Sequence, residues 1–211
     1  HEYRWGENPG HRLQINRSAP NATGQYFPDL MTRGAEAFIA GTTDRPFFLY
    51  LPFNQPHYPL QAPEASHAAV AHIEDPARRA YAACVHVLDQ CVGRVLHSLD
   101  AHGLAQDTIV VFLSDHGHSL EPEAGGGGGR AQPFRGHKGT LLEGGIRVPC
   151  IATWPGHLPA GVVRHQMTSA MDWVPTLASW AGATPSQPLD GLDMAPILQE
   201  DAAASRSWLS W

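Results

Sequence analysis

The chain has 211 residues, 43% of them apolar and 16% charged, which suits a sizeable globular domain and excludes a disordered one. A formal net charge of -6 with no basic run argues against nucleic acid as a partner, and no apolar stretch approaches membrane-spanning length. Three cysteines, Cys84, Cys91 and Cys150, form no CxxC pattern, and their odd number excludes a fully paired disulfide framework.

Residues 1 to 28 are rich in Asn, Pro, Gly and Arg and read as loop. They contain two glycosylation-type triplets, Asn16-Arg17-Ser18 and Asn21-Ala22-Thr23, a pattern too short to decide anything. Asp29 to Ala40 is expected to be a short helix with Asp29 as its cap. "PFFLYLPFN", Pro46 to Asn54, is a continuous apolar run between prolines and suits a strand buried on both faces. A long helix follows, from about Pro76 to His102, with Tyr81, Cys84, Val85, Leu88, Val92, Val95, Leu96 and Leu99 at three- and four-residue steps. Gly103 supplies its stop.

"TIVVFLSD", Thr108 to Asp115, reads as a second buried strand, "RVPCIATWP", Arg147 to Pro155, as a third, and Asp172 to Ala181 as a closing helix. Strand, long helix, strand is the crossover pattern of an α/β fold with a mostly parallel sheet flanked by helices. There is no internal repeat. The chain opens at His1 without an initiator Met or signal peptide and ends within the β-prone "SRSWLSW". It is therefore expected to be an internal piece of a longer protein, residues 1–211 forming part of a single domain.

Functional groups in such sheets gather beyond the carboxyl ends of strands. Asn54 to His57 follows the first expected strand, and Asp115-His116 the second. A carboxylate beside an imidazole can hold a divalent cation, although "SDHG" alone also reads as a strand end with Asp closing a turn over Gly117. His57 lies in "NQPHYPLQAP", where Pro56 and Pro59 stiffen the backbone. That suits either a positioned side chain or simply a rigid loop. Lys138, between Gly136 and Gly139, offers an ammonium to an oxyanion; a solvated loop lysine has the same pattern. Glu143, Gly144, Gly145 and Arg147 look structural, a tight turn into the third strand with Arg147 paired to a carboxylate. The run "AGGGGG", Ala124 to Gly129, reads as a flexible linker or as a mobile loop at the rim of a site. His118 and His137 flank it as candidate substrate contacts.

Taken in order, "PFFLYLPFNQPHYPLQAPE", "IVVFLSDHG", "RGHKGTLLEGGIRVP", "IATWPGHLPAG" and "DWVPTLASWAG" resemble the sulfatase family of the alkaline-phosphatase-like superfamily, over roughly residues 29 to 198. The resemblance implies an alkaline-phosphatase-like α/β fold, incomplete here, and hydrolysis of a sulfate ester to an alcohol and sulfate. It implies Asp115 and His116 as two ligands of a cation, calcium by family habit, although imidazole is a soft ligand for calcium. Lys138 would bind the sulfate group, and His57 would stabilise or protonate the leaving oxygen. The formylglycine nucleophile of the family arises from a "C/S-x-P/A-x-R" motif. None of the three cysteines, nor any serine, fits it, so that motif is expected upstream of His1 and the fragment alone is expected to be inactive. The implied partner is a sulfated small molecule or sulfated carbohydrate, and the implied location periplasmic, secreted or lysosomal. Two alternatives are a phosphodiesterase or phosphonate monoester hydrolase of the same superfamily, and a non-catalytic metal- or anion-binding relative. No motif speaks to oligomeric state.

Overall fold

The computed structural model describes residues 24–42, 45–122, 125–203 and 206–208. Both glycosylation-type triplets and most of the expected N-terminal loop lie outside them. The chain divides into two compact units, one of residues 1–105 with 116–147 and one of 106–115 with 148–211.

The first unit is helical. α1 (Phe27–Ala40) begins two residues before the expected start, with Tyr26 as its N-cap and Pro28 in the first turn, where a missing N–H costs nothing. Asp29 is therefore not the cap. It sits inside the first turn, where a carboxylate suits the helix dipole, and pairs with Arg33 one turn on. α2 (Glu64–Ala69) is a short helix that the apolar pattern does not announce. α3 (Pro76–Ala101) is the expected long helix. Pro76 opens it, and the Asp75 side chain caps it by accepting from Arg78 N at 2.6 Å.

The buried stripe of α3 runs through Ala83, Cys84, Val87, Cys91 and Leu99 and packs against α1 and α2. Val85 and Leu96, expected in that stripe, are 38% and 41% exposed, because Ala83 and Val87 turn the packed face away from them. α1 contributes Thr32, Ala35 and Ile39 to the same core. Arg94 clasps the two helices: it donates to Glu36 through Nε at 2.9 Å and Nη2 at 2.7 Å, and to Asp29 through Nη1 at 2.6 Å. The two-pronged grip on Glu36 holds a defined geometry.

Residues 46–54 form no helix or strand and have no strand partner among the described residues. Phe48 and Tyr50 are each 76% exposed, so the run is not buried on both faces as its composition suggested. Such burial requires paired neighbours and covering layers. α4 (Glu143–Ile146) is the expected tight turn, and Arg147 behind it pairs with Glu143 at 3.1 Å and lies over the Phe134 ring.

The second unit holds β1 (Val110–Leu113) and β2 (Cys150–Thr153), paired antiparallel with Val110 opposite Thr153 and Leu113 opposite Cys150. Both are half the expected length and partly exposed, Ile151 by 63%. The one strand pair among the described residues is thus antiparallel. α5 (Trp173–Trp180) is the expected closing helix, and α6 (Ala195–Glu200) packs on it. Buried Asp172 organises this corner: its carboxylate accepts from Ser169 N at 2.7 Å and Leu192 N at 2.8 Å, and pairs with Arg206. A buried carboxylate needs such partners.

Candidate active site

In the first unit the "HG" of His116-Gly117 and the "EGG" segment touch through their backbones. Gly117 N donates to Gly145 O, Lys138 N to His118 O, and Gly144 N to Arg135 O, each at 2.8 Å. A Cβ on Gly117 would fall 1.9 Å from Gly144 O, and one on Gly144 2.3 Å from Gly136 O. Only glycine permits that approach. The glycines of this stretch therefore serve the backbone stitching, which delivers Lys138 to its place.

Lys138 is 27% exposed, and its Nζ donates to Glu121 Oε2 at 2.9 Å. The same oxygen accepts from Ser119 Oγ at 2.7 Å. The Glu121 carboxyl is held below its ordinary range, first by the Lys138 hydrogen bond, then by Ser119, with His57 adding a weaker pull. The ammonium also lies 5.8 Å from the centre of the Tyr58 ring, a cation–π contact. Tyr58 in turn meets His57, ring centres 4.3 Å apart. Residues far apart in the chain thus gather around one ammonium. Glu121, Ser119 and Tyr58 were missed by sequence reasoning. The Ser-x-Glu spacing, suited to a side-chain turn, was the one available signal for the first two.

The His57 loop is pinned from below. Tyr26 Oη, at the start of α1, donates to Gln61 O at 2.8 Å and accepts from Gln55 Nε2 at 2.9 Å. Burial pushes the Tyr26 phenol up to about 12, so it remains a donor. The Cys84 thiol of α3 reaches the same Gln61 carbonyl at 3.5 Å. His57 N closes the turn onto Asn54 O at 2.9 Å, and the His57 ring stays exposed.

Three candidate histidines share one local device. Nδ1 of His57 meets Tyr58 O at 2.7 Å, that of His116 meets Gly117 O at 2.8 Å, and that of His137 meets Lys138 O at 2.8 Å. A carbonyl only accepts, so Nδ1 carries the proton in each, and the neutral ring has its lone pair on Nε2. That is the tautomer a metal ligand requires, and it fits His116. For His57, donation from Nε2 requires the imidazolium. The His118 and His137 rings meet edge-on at 6.5 Å. Burial, then the neighbouring His137, holds the His118 imidazole below its ordinary value.

Asp115 is exposed just past the end of β1 in the second unit, whereas His116 belongs to the first. Among the described residues no group of three or more His, Cys, Asp or Glu gathers as a metal site. Asp115 and His116 are therefore two candidate donors and not a complete ligand set among the described residues. The described part of the glycine run is not a free linker. Arg78 Nη1 donates to Gly128 O at 2.5 Å, and the run packs on Ala77 and Tyr81 of α3.

The sulfatase family model matches residues 2–183. The chain belongs to the sulfatase family. Steryl-sulfatase of Mus musculus is 40% identical over 182 residues, which is 81% of this chain and 27% of that protein. N-acetylgalactosamine-6-sulfatase of Sus scrofa is 39% identical over 168 residues, 78% of this chain and 30% of that protein. The chain thus spans about a third or less of the curated sulfatases it matches. In the crystal structure of Ps i-CgsB in complex with k-i-k-neocarrahexaose, the match has a TM-score of 0.82 and 36% identity. It covers 89% of this chain and 41% of that one. The alkaline-phosphatase-like α/β class expected from the sequence stands on that likeness.

Proposed function

We propose that the protein carrying this chain is a sulfuric ester hydrolase, which consumes water to split a sulfate ester into an alcohol and sulfate. The observation that carries the reading is the gathering of Lys138, Glu121 and the His57-Tyr58 pair in one unit. Lys138 would meet the sulfate oxygens and offset the charge that builds on them as the ester bond breaks. A part-exposed ammonium held beside a carboxylate supports that role. His57 would deliver a proton from Nε2 to the leaving alcohol oxygen, its Nδ1–H still donating to Tyr58 O. His118 and His137 would contact the rest of the substrate.

Asp115 and His116 would hold a divalent cation, calcium by preference, with further ligands from elsewhere in the protein. The cation would polarise the sulfate group, and a formylglycine would supply the nucleophile. The hard carboxylate fits calcium, and the Nδ1-protonated imidazole leaves Nε2 as a donor, a softer one than calcium favours. We assign a sulfated carbohydrate or small sulfated molecule as substrate, supported by the named substrates of the relatives. The compartment would be periplasmic, secreted or lysosomal. No helix among the described residues is long and apolar enough to cross a membrane.

The test is sulfate release from a panel of sulfate esters by the full-length protein, beside its Lys138→Ala variant. The variant should lose at least about tenfold in turnover, roughly 1.4 kcal/mol in the transition state. Release from phosphonate or phosphate esters alone, or unchanged turnover in the variant, would sink this reading.

A further inference from the structure

The reading above gives Glu121 no chemical step, yet its carboxylate holds the ammonium assigned to sulfate. Oε2 accepts from Lys138 Nζ at 2.9 Å and from Ser119 Oγ at 2.7 Å. The Ser119 hydroxyl also accepts from the backbone N of Glu121 at 3.1 Å. This local turn orients the carboxylate independently of the lysine. The backbone bond from Lys138 N to His118 O, 2.8 Å, fixes the two segments side by side. Lys138 is anchored, Glu121 is anchored, and their heads meet.

Both heads are accessible, the side chains being 27% and 40% exposed, so an arriving anion reaches the same ammonium. A sulfate group drawn to Lys138 then stands next to a carboxylate, and two like charges on one cation repel. Glutamate is a costly neighbour for a pure anion site. We infer that Glu121 is the resident counter-anion of Lys138, which a sulfate group must displace, and that it sets how tightly this site holds anions. It acts through the lysine, as a specificity-determining residue. Its charge weakens retention of the sulfate product and disfavours substrates with a second negative group beside the first. The inference rests on the assignment of Lys138 to the sulfate group.

Inorganic sulfate is the probe, and the full-length protein is the sample. Glu121→Gln keeps the side-chain shape and an oxygen acceptor for Ser119, but removes the charge. Its inhibition constant for sulfate, and its dissociation constant by calorimetry, should fall about three- to fivefold. KM for a sulfate ester should fall by a similar factor, and the gain should shrink as ionic strength rises. In the Lys138→Ala background the gain from Glu121→Gln should be clearly smaller, since competition for the ammonium is gone and only direct repulsion between carboxylate and sulfate remains. Thermal melts of each variant separate this charge effect from a folding defect.

Weaker or unchanged sulfate binding in Glu121→Gln, with Lys138→Ala clearly weakened, would overturn the inference and leave Lys138 at the sulfate. An equal gain from Glu121→Gln in the Lys138→Ala background would also overturn it, since the carboxylate would then act without the lysine. Undiminished sulfate binding in Lys138→Ala would instead remove Lys138 from the sulfate site, and the inference would fall with that assignment.

Discussion

Replacing Gly128 with alanine tests whether the glycine run is a seated element. A Cβ there would lie 2.2 Å from Tyr81 Cβ and 2.6 Å from Ala77 O. Both atoms belong to the first turns of α3 and lie on or next to its backbone, so neither can swing aside. Relief requires the loop to lift, which strains the Arg78 bond to Gly128 O, 2.5 Å long. Overpacking of this kind costs about 1–3 kcal/mol. For a chain of this size each kcal/mol moves the midpoint by roughly 2–4 °C. Gly93 is the matched control. It sits on the exposed side of α3 with nothing within 4 Å of its added Cβ. Alanine there should stabilise by about 0.8–1 kcal/mol, because glycine is the poorer helix former. Calorimetric melts of the two variants should therefore shift in opposite directions. A Gly128→Ala midpoint equal to wild type would mean that the run does not rest on α3.

In the full-length protein, Asp115→Ala should weaken calcium binding more than His116→Asn does, because Asn keeps a neutral oxygen donor of a type calcium accepts. Calorimetric titration measures both, and equal affinity in wild type and Asp115→Ala would remove Asp115 from the metal site. Burial pushes the Cys84 thiol from 9.0 up to about 11, so its thiolate fraction at pH 8 should be about a hundredfold below that of an ordinary thiol. Maleimide should therefore reach it only in denaturant, and native labelling at the unfolded rate would contradict its place under the His57 loop.

The helices were the legible part of the fold, and the physical reason is local. α3 announces itself through Pro76 and a stripe spaced for one face, all within a single segment, while its Asp75 cap was read only from the structure. α2 and α6 are six residues each, too short for a periodic pattern to emerge. The strands were harder. Composition marks "PFFLYLPFN" and "IVVFL" as apolar and extended, but burial and pairing direction belong to whatever lies alongside. The antiparallel pairing of β1 with β2 joins segments about forty residues apart, and no residue in either strand encodes that direction.

The site divides the same way. Lys138 stood out because glycines flank it, and His57 because prolines do. Their shared neighbourhood depends on contacts far apart in sequence: Tyr26 holding Gln55 and Gln61, and Gly117 lying against Gly144. Glu121 was not legible, since a carboxylate near a glycine run has no feature that separates it from solvated charge. The glycines themselves carried a meaning different from the expected one. Gly136 and Gly139 suggested room for a ligand, yet Gly136 O is the atom that a Cβ on Gly144 would strike. At Gly136 the neighbouring chain lies close, a Cβ there meeting Leu142 Cβ and Thr140 Oγ1 at 2.6 Å, whereas at Gly139 nothing lies within 4 Å. The close approach at Gly136 lets Lys138 N reach His118 O and fixes where the ammonium can stand. A motif rich in glycine beside a charged residue thus records how the charge is carried to its place, and the groups that answer the charge must be sought across the fold.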